Sequence, residues 1–224
     1  MQERERIHHQ AETFFEEMWQ DGDPWGFESS TYEQDRYARL LACLNGRSYT
    51  RVLELGCGAG AFTRLLAPLA QEIIALDVSQ AAITQARQRA IGPATVDFRQ
   101  MNAMEYPLED EGPWDLIILS DTVCYLGWLY SFFDVSWFAK RLFLATRPGG
   151  QCLLANAINE SGDWLLRPWV IHTYRDLFQN VGYALTAEDT FRGMKNDVPF
   201  ASLISLFTRE VEHPTSSSAG MYHD

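Results

Sequence analysis

The chain has 224 residues, 46% of them hydrophobic, which suits one core-forming domain. Its 30 acidic residues outnumber 18 basic ones for a formal charge of -12, and no basic patch is segregated along it. That balance argues against nucleic-acid binding through an extended surface and favours a small-molecule ligand. Cys43, Cys57, Cys124 and Cys152 have neither CxxC spacing nor a nearby histidine, so neither a metal site nor a disulfide framework is expected. Only Cys57 sits where a ligand would pass. The longest apolar runs, "WDLIILS" and "CLLANAI", are far short of a membrane span, and the charged start "MQERERIHHQ" lacks a signal-like apolar core. The expected location is the cytoplasm, away from membranes, and nothing in the sequence fixes an oligomeric state.

Residues 1–46 read as two helical stretches ahead of the core, "RIHHQAETFFEEMWQ" and "TYEQDRYARLLACL", parted by the breaker-rich "DGDPWGFESS". From Tyr49, short apolar runs alternate with helical patterns: "RVLEL", "AFTRLLAPLA", "EIIALDV", "SQAAITQARQRA", "ATVDFRQ", "WDLIILS", "VSWFAKRLFLATR" and "GQCLLANAI". The alternation predicts an α/β, doubly wound, mostly parallel sheet for residues 47–210. Near the end, "TYRDLFQNVGY" is helical, and "ALTAEDTF" and "FASLISLFTRE" form a hairpin across the polar link "RGMKNDVP", making the last strand antiparallel. Residues 211–224 are poor in apolar side chains and are expected to be disordered.

Between the first strand and its helix, "LGCGAGA" places Gly56, Gly58 and Gly60 at alternate positions. Such a turn lets backbone N–H groups and a helix N-terminus face a ligand at the carboxyl edge of the sheet, and it also satisfies the dinucleotide pattern GxGxx(G/A). Glu54, a carboxylate in an otherwise apolar strand, suits an ammonium group better than a pyrophosphate. Asp77, followed by Val78, ends the second strand where it can accept from two ribose hydroxyls, which fits NAD or any adenosine ligand. Asn102 and the pair Ser120–Asp121 end the third and fourth strands and point into the same crevice.

The ordered series "VLELGCGAG", "ALD", "MNAMEY", "WDLIILSD" and "RPGGQCLL" resembles the class I S-adenosylmethionine-dependent methyltransferases over residues 51–209. The resemblance implies a Rossmann-like seven-stranded sheet and S-adenosyl-L-methionine (SAM) as cofactor. By it, the glycine turn passes the methionine part, Glu54 supports its amino group, Asp77 holds the ribose, and Asn102 with Ala103 and Met104 frames the adenine. The pattern usually has Asp where this chain has Asn102. The segment "DPWGFESSTYEQDRYARLL", with "CYLG", is similar to the nodulation-type (NodS-like) N-methyltransferases, in which two leading helices cap the site. After Asn156 that similarity ends.

Trp25, Phe27 and Tyr32 are candidates to pack on the adenine or a sulfonium, or else to glue the leading helices to the sheet. Arg36 either meets the cofactor carboxylate or makes a surface ion pair. Asp121 is the candidate base or cationic-acceptor ligand, with helix capping as the alternative, and His172 is a second candidate base. Tyr125, Trp128, Trp164 and Trp169 either line an aromatic acceptor cleft or pack in the core. The expected activity is N- or O-methylation of a small molecule in a biosynthetic pathway. A NAD-dependent oxidoreductase and a catalytically silent adenosine-cofactor binding protein are the alternatives.

Overall fold

The computed structural model describes residues 2–89, 92–159 and 164–211. The tail expected to be disordered lies outside the described residues, apart from Val211. Two helices lead, α1 (Gln2–Trp19) and α2 (Thr31–Cys43). There follow β1 (Tyr49–Leu55), α3 (Ala61–Leu66), β2 (Ala70–Asp77), α4 (Gln80–Arg87), β3 (Thr95–Gln100), α5 (Leu108–Glu111), β4 (Trp114–Ser120), α6 (Val123–Leu129), α7 (Phe132–Ala145), β5 (Thr146–Ile158), α8 (Pro168–Asn180), β6 (Ala184–Lys195) and β7 (Val198–Thr208). Short 3-10 turns occupy Ala67–Leu69, Ala103–Glu105 and Trp164–Leu166.

The seven strands lie in the order β3-β2-β1-β4-β5-β7-β6. Strands β1 to β5 pair in parallel, and β7 runs antiparallel to both β5 and β6. This is the mostly parallel, doubly wound sheet with an antiparallel last strand that the alternation predicted. The chain reverses direction of winding between β1 and β4, so the carboxyl ends of these strands open a crevice there.

Side chains alternate between the two faces of each strand. Leu53, Leu55, Ile74, Leu76, Ile117 and Leu119 pack against α6, α7 and α8, while Val52, Ile73, Ala75, Leu116 and Ile118 pack against α2, α3 and α4. Helix α2 is therefore part of the covering layer: Tyr37, Leu40 and Leu44 share one core with Phe62 and Ile83. Helix α1 is different. Of its residues, Ile7 and the His8 ring, 5.7 Å from Tyr130, pack against those two cores, and Trp19 joins a smaller cluster with Ala59 and Ala82. It is tied on by polar contacts, since Glu16 accepts from Ser79 Oγ (2.8 Å) and Ala81 N (3.0 Å), and His8 Nδ1 meets Glu105 at 2.6 Å.

The C-terminal hairpin departs from expectation. The polar link is not a loop: β6 and β7 continue through it and turn on Asn196 and Asp197 alone, both at positive φ (52° and 61°). Asn and Asp tolerate this left-handed backbone, and a two-residue turn of this kind matches the twist of the flanking strands. The longer hairpin reaches α2, where Tyr32 packs on Phe191 (5.2 Å) and Phe200 (5.5 Å). No described helix is long and apolar enough to cross a membrane.

Candidate active-site cleft

A cleft of about 1160 Å³, counting its open mouth, lies over the carboxyl ends of β1, β2 and β4. Its floor is Gly56, Gly58, Asp77 and Val78, and α1 roofs it with Ala11, Phe15 and Trp19. Asn102 and Ala103 close one side, and Ser120, Asp121 and Thr122 enter from the end of β4. The far end is made by Tyr32, Glu33 and Arg36 from α2 with Lys195 and Phe200 from the hairpin.

The glycine turn does not present a row of free donors. Gly56 N and Cys57 N both donate to Leu76 O (2.8 and 2.9 Å), Gly60 N to Cys57 O (3.0 Å), and Gly58 N to Asp77 Oδ2 (2.8 Å). The expectation that these N–H groups face a ligand is corrected here: the turn is closed on itself and on β2. What the glycines supply is a left-handed backbone and a bare surface. At Gly58 (φ 54°) a Cβ would stand 2.7 Å from the Trp19 ring, and at Gly56 (φ 77°) 2.5 Å from Thr122 Oγ1.

Asp77 is buried, and its second oxygen accepts from Ser79 N at 2.9 Å. Burial pushes its carboxyl up to about 6, with the backbone donors opposing. Each oxygen keeps a lone pair for a ligand hydroxyl. Asn102 has its amide fixed: Oδ1 accepts from Met104 N (3.0 Å) and Nδ2 donates to Tyr130 Oη (2.8 Å). Glu54 lies on the α3 face of the sheet beneath the turn, not on the cleft wall, and accepts from Thr63 Oγ1 at 2.6 Å. Complete burial pushes it up to about 8.

At the far end, four charges share one network. Arg36 is buried, with Nε on Glu33 Oε2 (2.7 Å) and Nη1 on Asp121 Oδ2 (2.9 Å) and Ser120 Oγ (3.1 Å). Glu33 Oε1 meets Lys195 Nζ. Asp121 has a left-handed backbone (φ 54°), and its other oxygen accepts from Ala157 N at 2.7 Å. It does not cap α6, whose N-cap residue is Thr122. Within this network Arg36 Nη2 and Tyr32 Oη are buried without a hydrogen-bond partner among the described residues.

The cleft thus brings together Trp25, Tyr32, Arg36, Gly56, Gly58, Asp77, Val78, Asn102, Ala103, Ser120, Asp121 and Tyr125 from the sequence-based set. It leaves out Glu54, Cys57, Gly60, Met104, His172, Trp164 and Trp169. The last two are 61% and 67% exposed, so neither the cleft nor the core reading holds for them. Helix α8 turns Ile171, Tyr174, Leu177 and Phe178 inward, a stripe on which neither Trp169 nor His172 falls. In the Trp164–Leu166 turn it is Leu166 that reaches the cleft. Sequence reasoning expected a cap from the leading helices without naming Ala11, Phe15 or Trp19, and it missed Glu33 and Lys195. The Glu33–Arg36 spacing of three on a helix was a readable pairing signal, whereas Lys195 had none.

A sequence model of the family described as Nodulation protein S (NodS) matches residues 9–131, more than half of the chain. The nodulation protein S of Rhizobium tropici is 31% identical over 136 residues, covering 60% of this chain and 55% of its own length. That of Bradyrhizobium diazoefficiens is 34% identical over 110 residues, covering 46% and 49%. The chain thus spans about half the length of the curated relatives it matches. Among solved structures, the N-methyltransferase NodS from Bradyrhizobium japonicum WM9 in complex with S-adenosyl-L-homocysteine (SAH) superposes with a TM-score of 0.73 at 22% identity, covering 89% of this chain and 97% of that one. This likeness establishes the fold.

Proposed function

This chain belongs to the nodulation protein S family, and from that premise we propose that it is a SAM-dependent methyltransferase acting on a nitrogen of a small-molecule acceptor. The observation that carries the reading is the closed glycine turn lying beside Asp77 and beneath Trp19. A pyrophosphate wants free N–H donors over the glycines. Here four are consumed internally and Trp19 fills the space above Gly58, which favours a sulfur nucleoside over NAD. The N-methyltransferase named among the solved relatives, with SAH bound, supports the same choice.

The residues present fit the cofactor. Asp77 has lone pairs for the two ribose hydroxyls, and Ala103 and Asn102 flank the space beside it for the base. Arg36 Nη2, a buried guanidinium nitrogen without a partner, is a receptor for the methionine carboxylate. Glu54, buried beneath the turn and accepting from Thr63 Oγ1, does not line the cleft. Bound there, SAM supplies a sulfonium methyl to which the acceptor nitrogen's lone pair bonds as the methyl–sulfur bond breaks, leaving SAH and one proton.

The protein's task is alignment and water exclusion. Trp19, Trp25 and Phe27 form a ring cluster at 5.5 to 6.4 Å, with Trp25 reaching Tyr125 at 6.5 Å. They roof the cleft with apolar, electron-rich surface suited to a positive centre. Asp121, with its oxygens engaged by Arg36 Nη1 and Ala157 N–H, holds an acceptor N–H in line with the methyl group. Helix α1 acts as the lid, while α2 is shared between lid and core.

The test is methyl transfer itself. Incubating the protein with SAM and a panel of primary amines, read by mass spectrometry, should give acceptors heavier by one methyl group together with SAH. Methylation confined to hydroxyl acceptors would overturn the nitrogen assignment.

A further inference from the structure

The far end of the cleft holds donors that neither the fold nor the proposed cofactor uses. Glu33 bridges two cations, with Oε2 on Arg36 Nε and Oε1 on Lys195 Nζ, so the guanidinium and the ammonium flank a single carboxylate. Arg36 is satisfied by Glu33, Asp121 and Ser120 except at Nη2, which the methionine carboxylate would occupy. Lys195 lines the cleft, largely buried, and its one hydrogen-bond partner among the described residues is Glu33. An ammonium has three donors, so two remain. Beside it, Tyr32 Oη is buried with no hydrogen-bond partner among the described residues. Burying the Tyr32 hydroxyl unpaired costs free energy that a ligand can recover.

The surroundings say what kind of ligand. The two acids at this end, Glu33 and Asp121, are already matched by the two bases, Arg36 and Lys195. An acceptor bringing only positive charge would compete with cations that hold these carboxylates. One bringing negative charge finds the spare Lys195 donors and Tyr32 Oη. Around them stand Phe27, Tyr32 and Phe200, whose ring centroids lie 5.8, 6.0 and 5.7 Å from Lys195 Nζ, so the rest of the ligand meets apolar surface. The ammonium's place is fixed by the hairpin turn on Asn196–Asp197 and by Gly193, where a Cβ would stand 2.9 Å from the Tyr32 ring.

We propose that the methyl acceptor carries a carboxylate of its own, received by Lys195 Nζ and Tyr32 Oη. The acceptor class is an amine bearing a carboxylate on an apolar or aromatic skeleton, in short an amino acid or a close analogue. The inference rests on the methyltransferase reading, because it is the cofactor that occupies Arg36 Nη2 and leaves Lys195 to the acceptor.

The test uses the full chain saturated with SAH and titrated calorimetrically with phenylacetate or with phenylacetamide, a matched pair differing in charge. Phenylacetate should bind the SAH complex, and the amide should bind about tenfold more weakly or not at all, as expected for loss of a charge-assisted hydrogen bond. Lys195→Met should erase the preference for the acid, Lys195→Arg should keep it, and Tyr32→Phe should weaken phenylacetate binding, each with SAH saturation verified first. Equal binding of acid and amide, no binding of either to the wild-type SAH complex, or an undiminished preference in Lys195→Met would overturn the proposal. Failure of the wild type to bind SAH would instead count against the methyltransferase reading beneath it.

Discussion

Arg36 Nη1 stands 2.9 Å from Asp121 Oδ2, joining the second helix of the chain to the end of its fourth strand across 85 residues. The pair is buried on the arginine side and borders the cleft. It fixes the height of α2 above the sheet, and with it Tyr32 and Glu33. Breaking a buried pair by removing one partner leaves an uncompensated charge, at a cost of about 3–5 kcal/mol. Arg36→Met, which leaves Asp121 without its cation and Glu33 with Lys195 alone, should lower the unfolding free energy obtained from a urea titration by an amount of this order. An unchanged free energy would mean that the network is not formed in solution.

Asp121 invites a kinetic test. As an orienting acceptor that removes no proton, it should, when changed by Asp121→Asn, raise KM with kcat reduced less than tenfold or so, and higher pH should not rescue the variant. A fall in kcat of about 10²- to 10⁴-fold, recovered as the acceptor loses its proton in base, would make it the general base after all.

Helix α1 is held by a few side chains and shares little of the sheet's core. Deleting residues 1–20 should therefore leave a cooperatively folding protein, followed by circular dichroism, that has lost most of its affinity for SAH. Removal of residues 1–46 would unfold it, because Leu40 and Leu44 belong to the core. Full SAH binding by the shorter deletion would show that the roof is not a lid.

The buried carboxyls give the free protein a pH dependence of a definite sign. Burial raises Asp77 from 3.8 to about 6 and Glu54 from 4.5 to about 8. Both bind their protons more tightly folded than unfolded, so their contribution to stability is full below pH 4 and is lost as pH rises through 6 and then 8. Thermal midpoints of the ligand-free protein should decline from pH 5 to pH 8, and Glu54→Gln should flatten the upper part of that decline. A midpoint that rises over this interval in the wild type would contradict the assignment.

The sheet was legible because its signals are local. Short apolar runs, helical periods between them and glycines at the first turn specify α/β winding without reference to distant residues. The strand ends at Asp77, Asn102 and Asp121 followed from the same logic. What escaped was assembled by distance in the chain. The hairpin's length depended on reading Asn196–Asp197 as a turn inside the polar "RGMKNDVP", and Lys195 vanished into the supposed link. The exposed Trp164 and Trp169 misled because aromatic content alone does not say which way a short helix turns its faces. The glycine pattern gave the backbone's shape but not where its N–H groups point, since their partner, Leu76 O, lies on another strand.

The central claim, that the glycine turn and Asp77 form a sulfur-nucleoside site, is tested most directly by titrating the wild-type chain with SAH and with NAD while following thermal unfolding. A ligand that binds only the folded state raises stability by about 2.7 kcal/mol at a hundredfold excess over its dissociation constant. The account predicts a saturable rise in midpoint with SAH, its loss in Asp77→Ala, and no rise with NAD. A saturable rise with NAD and none with SAH would contradict it.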